Sequence, residues 1–355
     1  MFKKHILAAF FVLLSVLGIY FLLQVRSFHP EHKTAEIADD VEKYIEKSEK
    51  AFKNLKKDSE KKIIWTSADK KKTKYVLVYL PSFAAGRKEI YPVIETLAND
   101  LRANVFFTRW AGHGGLAEDY KNLSAQDLFD TAQEALTVGK KLGDEVIIVG
   151  TGLGASMAST MAILDSKLTA TLKGTEPESH LKAVVLISPI YSMLPDKLKY
   201  LASPLGPLLA PFYANEFIER RPKNPDIFKY WDTKYHRDGL IQLAKTVEAI
   251  NRMDLHDLKL PTLVLYTKLD KEGLPSLIEA KFNQIGGYET TDDLKNGNSN
   301  MNSSQILTKK KLISILTPDP ILAGEFTSPQ TTQTVISEIK DWLDSVGISM
   351  EKITK

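Results

Sequence analysis

The chain is 355 residues long, 43% hydrophobic and 26% charged, enough for one sizeable core and without the composition of a disordered protein. Its 47 basic and 44 acidic residues leave a net charge of +3, which carries no global nucleic-acid signature. The absence of cysteine excludes disulfides, thiolate catalysis and lipoprotein attachment.

Taken in chain order, residues 6–25 are apolar apart from Ser15, Tyr20 and Gln24, and Lys3 and Lys4 precede them. A run of about 20 such residues matches the length of a bilayer-spanning helix. Leu22-Leu23-Gln24-Val25-Arg26 offers no small-x-small cleavage site, so the run reads as an uncleaved anchor over residues 1–26. The two lysines place the N-terminus in the cytoplasm and the rest of the chain outside it. After a short linker, Ile37, Val41, Tyr44, Ile45, Phe52 and Leu55 recur at helical spacing, which predicts an amphipathic helix over 35–55. The lysines of this helix, interleaved with Glu42, Glu46 and Glu49, continue from Lys56 to Lys72; the run reads as a solvated face, with contact to anionic headgroups as the alternative.

From there strand and helix signals alternate, the pattern of a mostly parallel sheet with helices on both faces. Strands are predicted at 62–66, 75–80, 104–109, 145–149, 183–188, 261–266 and 311–316. Helices are predicted at 90–101, 125–142, 154–164, 274–285 and 330–346. Between 190 and 255, six prolines from Pro195 to Pro225 interrupt aromatic and helical patches, which reads as an inserted cap. Residues 286–305, rich in Asn, Ser, Thr, Asp and Gly, read as a flexible loop.

The most informative stretch is Val146-Ile147-Ile148-Val149-Gly150-Thr151-Gly152-Leu153-Gly154. A β-branched run meets glycines and a small-residue helix, the form of the strand-turn-helix that presents the nucleophile in Gly-x-Ser-x-Gly hydrolases. Here Gly152 stands at the tip, so the elbow is present without its hydroxyl. The other reading is a glycine-rich phosphate cradle, but the spacing lacks the third glycine of a dinucleotide fingerprint and the Lys of a P-loop.

Several further stretches carry a family likeness: Ala85-Gly86-Arg87-Lys88-Glu89 with Pro92, Asn104 to Gly114 ending in Gly112-His113-Gly114, and Asp144 into the elbow. Ser188-Pro189, Tyr230-Trp231-Asp232-Thr233-Lys234-Tyr235, Pro261 to Tyr266 followed by Asp270, and Leu322 to Pro329 complete the set. With these, the chain resembles the α/β-hydrolase fold, in the lysophospholipase-like and serine-aminopeptidase-like branch of bacterial esterases and lipases. The resemblance implies an α/β-hydrolase domain over 63–346 with its cap at 190–255, after an amphipathic segment within 27–62 and before a tail at 347–355. It implies Asp270 as the retained acid, Gly152 in place of the nucleophile and Pro320 in place of the histidine. Pro81 and Ser82 stand where the family has His-Gly, and Phe83, Ala84 and Leu153 fall at the oxyanion loop and pocket.

An alignment-free check agrees. The triad of this fold runs nucleophile, acid, histidine along the chain. The histidines are His5, His29, His32, His113, His180, His236 and His256, and none follows Asp270. Thr151 and Ser156 carry nearby hydroxyls but point away from the tip or lie a helical turn beyond it. With no His-x-x-x-His pair or cysteine, and Asp292-Asp293 in the flexible loop, no metal or other cofactor is expected. The expected partners are a bacterial membrane, through the first helix, and a lipid, ester-type ligand or protein; nucleic acid is not. The sequence therefore reads as a membrane-anchored pseudohydrolase, the alternative being a carboxylesterase or lysophospholipase with non-standard catalytic residues.

Overall fold

The computed structural model describes residues 2–25, 28–31, 35–171, 180–193, 195–222, 224–270, 273–286 and 309–350. The loop expected at 286–305 lies almost wholly outside the described residues. Helix α1 spans Phe2–Val25, and its described side chains, from Lys4 to Tyr20, are exposed on every side. Among the described residues, however, no helix is long and apolar enough to cross a membrane. The apolar run expected at residues 6–25 does form a helix, but a membrane span is not found among the described residues.

The amphipathic segment forms a helix only over α2 (Val41–Lys50). Asp40 sets its start by accepting from the Lys43 amide at 3.0 Å, so residues 35–39 are excluded from the helix. Val41 and Ile45, one turn apart, are its buried face, and Glu49 clamps the Arg109 guanidinium at 2.8 and 3.0 Å. Several of the lysines that follow are committed to ion pairs: Lys56 with Asp232, Lys61 with Glu134 and Lys70 with Glu42.

The central sheet contains β1 (Lys62–Ile64), β2 (Thr73–Leu80), β3 (Asn104–Phe107), β4 (Gly143–Thr151), β5 (Leu181–Ile187), β8 (Thr262–Tyr266) and β9 (Lys310–Ser314), in the order β1-β3-β2-β4-β5-β8-β9. Only β1 runs antiparallel to its neighbour; the other pairings are parallel. The alternation of a strand sends β2 to both sides: Val76, Val78 and Leu80 enter one core, Leu77 and Tyr79 the other. A strand buried on both faces must be apolar throughout, which is why 76–80 reads as an unbroken run. The first core is covered by α4 (Ala125–Leu142) and α5 (Leu153–Thr171), the second by α3 (Val93–Leu101) and α10 (Pro329–Ser345). Helix α4 begins where expected because Ser124 and Asp127 form a reciprocal capping box.

The cap contains α6 (Gly206–Tyr213), the ribbon of β6 (Phe217–Glu219) with β7 (Lys234–His236), the short α7 (Ile227–Tyr230) and α8 (Arg237–Asn251). Asp232 fastens it to the body, its carboxylate receiving Lys56 Nζ, the Gly114 amide and the Tyr120 hydroxyl, each at 2.7 Å. Helix α9 (Pro275–Gln284) follows β8 on the body.

Candidate functional site

Parallel strands of an open sheet end on one edge, and loops leaving those ends converge there. The loops after β2, β4, β5 and β8 and the segment following β9 meet the cap around a cavity of about 660 Å³. Its wall includes Gly152, Leu153, Phe83, Ala84, Asp270 and Pro320, so the structure brings all six sequence-derived positions together.

Thr151 ends β4 and Leu153 begins α5, leaving Gly152 alone to turn the chain at φ +51°. Its amide donates to Ile187 O at 3.0 Å, and the Ser156 amide returns to its carbonyl at 3.2 Å. At Gly154 any Cβ would collide with the Leu80 carbonyl, so the first turn of α5 packs directly beneath the loop that carries Pro81 and Ser82. Trp110 fixes that loop from the other side through Nε1 to Pro81 O at 2.8 Å.

This packing carries Ser82 over the tip. A Cβ placed on Gly152 would stand 2.6 Å from Ser82 Oγ and 3.1 Å from its Cβ. The hydroxyl absent from the elbow is thus replaced in space, though not in sequence, by one from the loop after β2. Sequence reasoning passed over Ser82 because it registered Pro81-Ser82 only as the loss of a His-Gly pair. The available signal was a small hydroxyl residue in a loop known to pass over a glycine tip.

Beneath Ser82 lies a buried carboxyl. Glu89 Oε2 accepts the Ser82 amide and the Tyr79 hydroxyl at 2.8 Å each and the Thr151 hydroxyl at 2.5 Å. Oε1 finds no hydrogen-bond partner among the described residues. Burial dominates over these donors and raises the Glu89 pKa, which favours the neutral acid. The hydroxyls of Thr151 and Ser156 are both engaged inside the protein, the latter with Ile190 O at 2.6 Å, as their positions in sequence implied.

Asp270 is buried and accepts the Gly273 amide at 2.8 Å. Pro320 faces the same cavity, and its carbonyl accepts the Ser188 hydroxyl at 2.6 Å. No histidine forms part of the wall among the described residues. His113 lies behind Phe83, ring centroids 4.7 Å apart, with Nδ1 against Ala111 O at 2.8 Å and burial holding its pKa down to about 4. His113 is thus a buried, neutral imidazole outside the cavity wall. Within the cap, Trp231 lines the cavity and Tyr230 stacks on Phe326, whereas Phe212 is 79% exposed. It sits on the outer side of α6, where Ala210 and Gly206 supply the buried contacts.

No curated protein matches the sequence. Solved structures share the fold at low identity. A metagenome-derived lipolytic enzyme of the LipS and LipT pair is 12% identical at a TM-score of 0.57, covering 82% of this chain and 99% of its own. The Paleococcus ferrophilus monoacylglycerol lipase is 15% identical at a TM-score of 0.52, covering 81% of this chain and 98% of its own. A soluble variant of monoglyceride lipase from Saccharomyces cerevisiae is 12% identical at a TM-score of 0.53, covering 82% of this chain and 92% of its own. The family model described as "Alpha/beta hydrolase family" matches residues 77–298. With the elbow turn at Gly152 and the parallel sheet that presents it, that match over more than half of the sequence makes this chain a member of the alpha/beta hydrolase family.

Proposed function

We propose that the protein is a non-catalytic member of its family whose cavity binds an acyl- or ester-type ligand. The reading is carried by one observation: the space that a nucleophile on residue 152 needs is filled by Ser82, in a cavity without a histidine among the described residues. Serine attack requires a base within hydrogen-bond reach. Glu89 lies beneath Ser82, and burial raises its pKa, while Oε2 is already occupied by the Ser82 amide and the Tyr79 and Thr151 hydroxyls. A serine hydrolase stripped of its triad retains about 10³ to 10⁴ over the uncatalysed rate, from oxyanion stabilisation and binding alone. Phe83, Ile190, Trp231 and Leu243 give the wall the apolar surface an acyl chain requires.

The second reading, an esterase with non-standard residues, is favoured by the same hydroxyl, since Ser82 stands close to where the family's nucleophile would project. Steady-state hydrolysis of short-chain aryl esters separates the two. No saturable turnover is expected from wild type; turnover that survives Gly152→Ala and disappears in Ser82→Ala would establish the esterase.

The proposal extends to placement: α1, with Lys3 and Lys4 before its apolar run, holds the family domain at a bacterial membrane on the side away from the cytoplasm. Supporting this, the described large apolar side chains of α1, from Ile6 to Ile19, are exposed. Full-length protein is expected in the membrane fraction after alkaline washing, and release into the supernatant would contradict the placement.

A further inference from the structure

Two basic side chains at the cavity make no hydrogen bond or ion pair among the described residues. Arg220 and Arg221 follow β6 directly, and the Arg220 amide prolongs the cap ribbon by donating to Thr233 O at 2.7 Å. Both side chains belong to the cavity wall, both are exposed, and neither forms a hydrogen bond or ion pair among the described residues. Glu219, the nearest acid to Arg221 along the chain, is already paired with Lys234 at 3.0 Å.

The carboxyl groups of the wall are differently placed. Asp232 accepts from Lys56 and two further donors, Asp270 from the Gly273 amide, Asp319 from the Ile321 amide at 2.9 Å, and Glu89 from Ser82, Tyr79 and Thr151. Among the described residues the two arginines are the only cationic side chains of the wall, and no carboxylate of the wall forms an ion pair with them. They line, on the cap side, the same cavity as Ile227 and Trp231, so a polar head at the guanidinium groups has apolar surface within the cavity for its tail.

We propose that the ligand is an anionic amphiphile, one acyl chain bearing a single carboxylate or phosphate head, with the head held by Arg220 and Arg221 and the chain along Trp231, Ile190 and Leu243. This rests on the reading that the cavity binds an acyl-type ligand. A planar guanidinium matches both anions in paired hydrogen bonds, and two such groups distinguish an anion from a neutral ester of equal chain length.

The test measures equilibrium binding of dodecanoate, dodecyl phosphate and neutral monododecanoylglycerol to the full-length protein in one non-ionic detergent. The anions are expected to bind at least about 10-fold more tightly than the neutral ester, from charge-assisted hydrogen bonds. In Arg220→Ala/Arg221→Ala that preference is expected to fall to about 1, and in Arg220→Lys/Arg221→Lys to survive in part. A tighter phosphate identifies a phosphorylated lipid, and a tighter or equal carboxylate a free fatty acid; both sustain the proposal. Equal binding of all three amphiphiles, unchanged in the alanine variant, overturns the anion inference and leaves the binding reading intact. Absence of binding by all three overturns both.

Discussion

Ser82 Oγ stands 2.6 Å from the point that a Cβ on Gly152 would occupy, although 69 positions separate them in the chain. The two residues form one substitution in space: glycine at the tip makes room for a hydroxyl from the neighbouring loop, and that hydroxyl prevents the tip from carrying a side chain. Gly152→Ala is expected to cost about 1–3 kcal/mol, from the left-handed turn and the encounter with Ser82. In Ser82→Ala the same change is expected to cost about 1 kcal/mol less. Chemical unfolding of the four proteins of this cycle checks the coupling; strict additivity would mean the loop simply moves aside.

His113 makes stability depend on acid. Burial holds its pKa at about 4 in the fold against 6.5 in the unfolded chain. Between those values the unfolded state takes up a proton that the native state refuses, so stability falls as pH drops from 6.5 towards 4. A shift of this size corresponds to about 3 kcal/mol. His113→Asn removes the titrating group, so urea unfolding at pH 7 and pH 4 should show wild type losing more stability than the variant by roughly that amount. An equal loss in the two proteins would mean that His113 is not neutral in the fold.

Asp232 is the joint between cap and body. Removing its carboxylate leaves Lys56, the Gly114 amide and the Tyr120 hydroxyl without their acceptor. Asp232→Ala is expected to destabilise the protein by about 3–5 kcal/mol, the cost of stranding buried partners of a charge. Cleavage by protease within the cap should accelerate before the body unfolds. A thermal midpoint within a degree of wild type would show that the cap is held by its apolar contacts alone.

The sheet was legible because its strands declare themselves locally: Val76 to Leu80 and Val146 to Val149 are runs that only burial on both faces explains. The start of α4 was equally legible, since Ser124 and Asp127 carry their capping chemistry in four consecutive residues. What required coordinates was relation between distant segments. Nothing in 62–64 announces that β1 runs antiparallel, because pairing direction is decided by the neighbour, β3. The cap was recognisable from its prolines, but α8 within it was not anticipated, and the aromatic content of α6 did not reveal that Phe212 turns outward.

At the site the contrast is sharper. Gly152, Asp270 and Pro320 each sit at a position fixed by strand order, so chain topology alone brings them to one cavity. Ser82 depends on how closely α5 packs beneath the loop after β2, and that distance is set by Gly154, a contact no local pattern encodes. That no carboxylate of the wall forms an ion pair with Arg220 or Arg221 among the described residues likewise required coordinates.

The proposal that the protein carries no activated nucleophile is tested most directly by a reagent that reports on nothing else. Full-length wild-type protein is to be incubated with a fluorophosphonate and its intact mass measured, with an active serine hydrolase treated in parallel. No phosphonylated species is expected, since Gly152 offers no hydroxyl and, among the described residues, no histidine lines the cavity that holds Ser82 and Thr151. A stoichiometric adduct that maps to Ser82 and vanishes in Ser82→Ala would contradict the non-catalytic reading and make Ser82 the nucleophile.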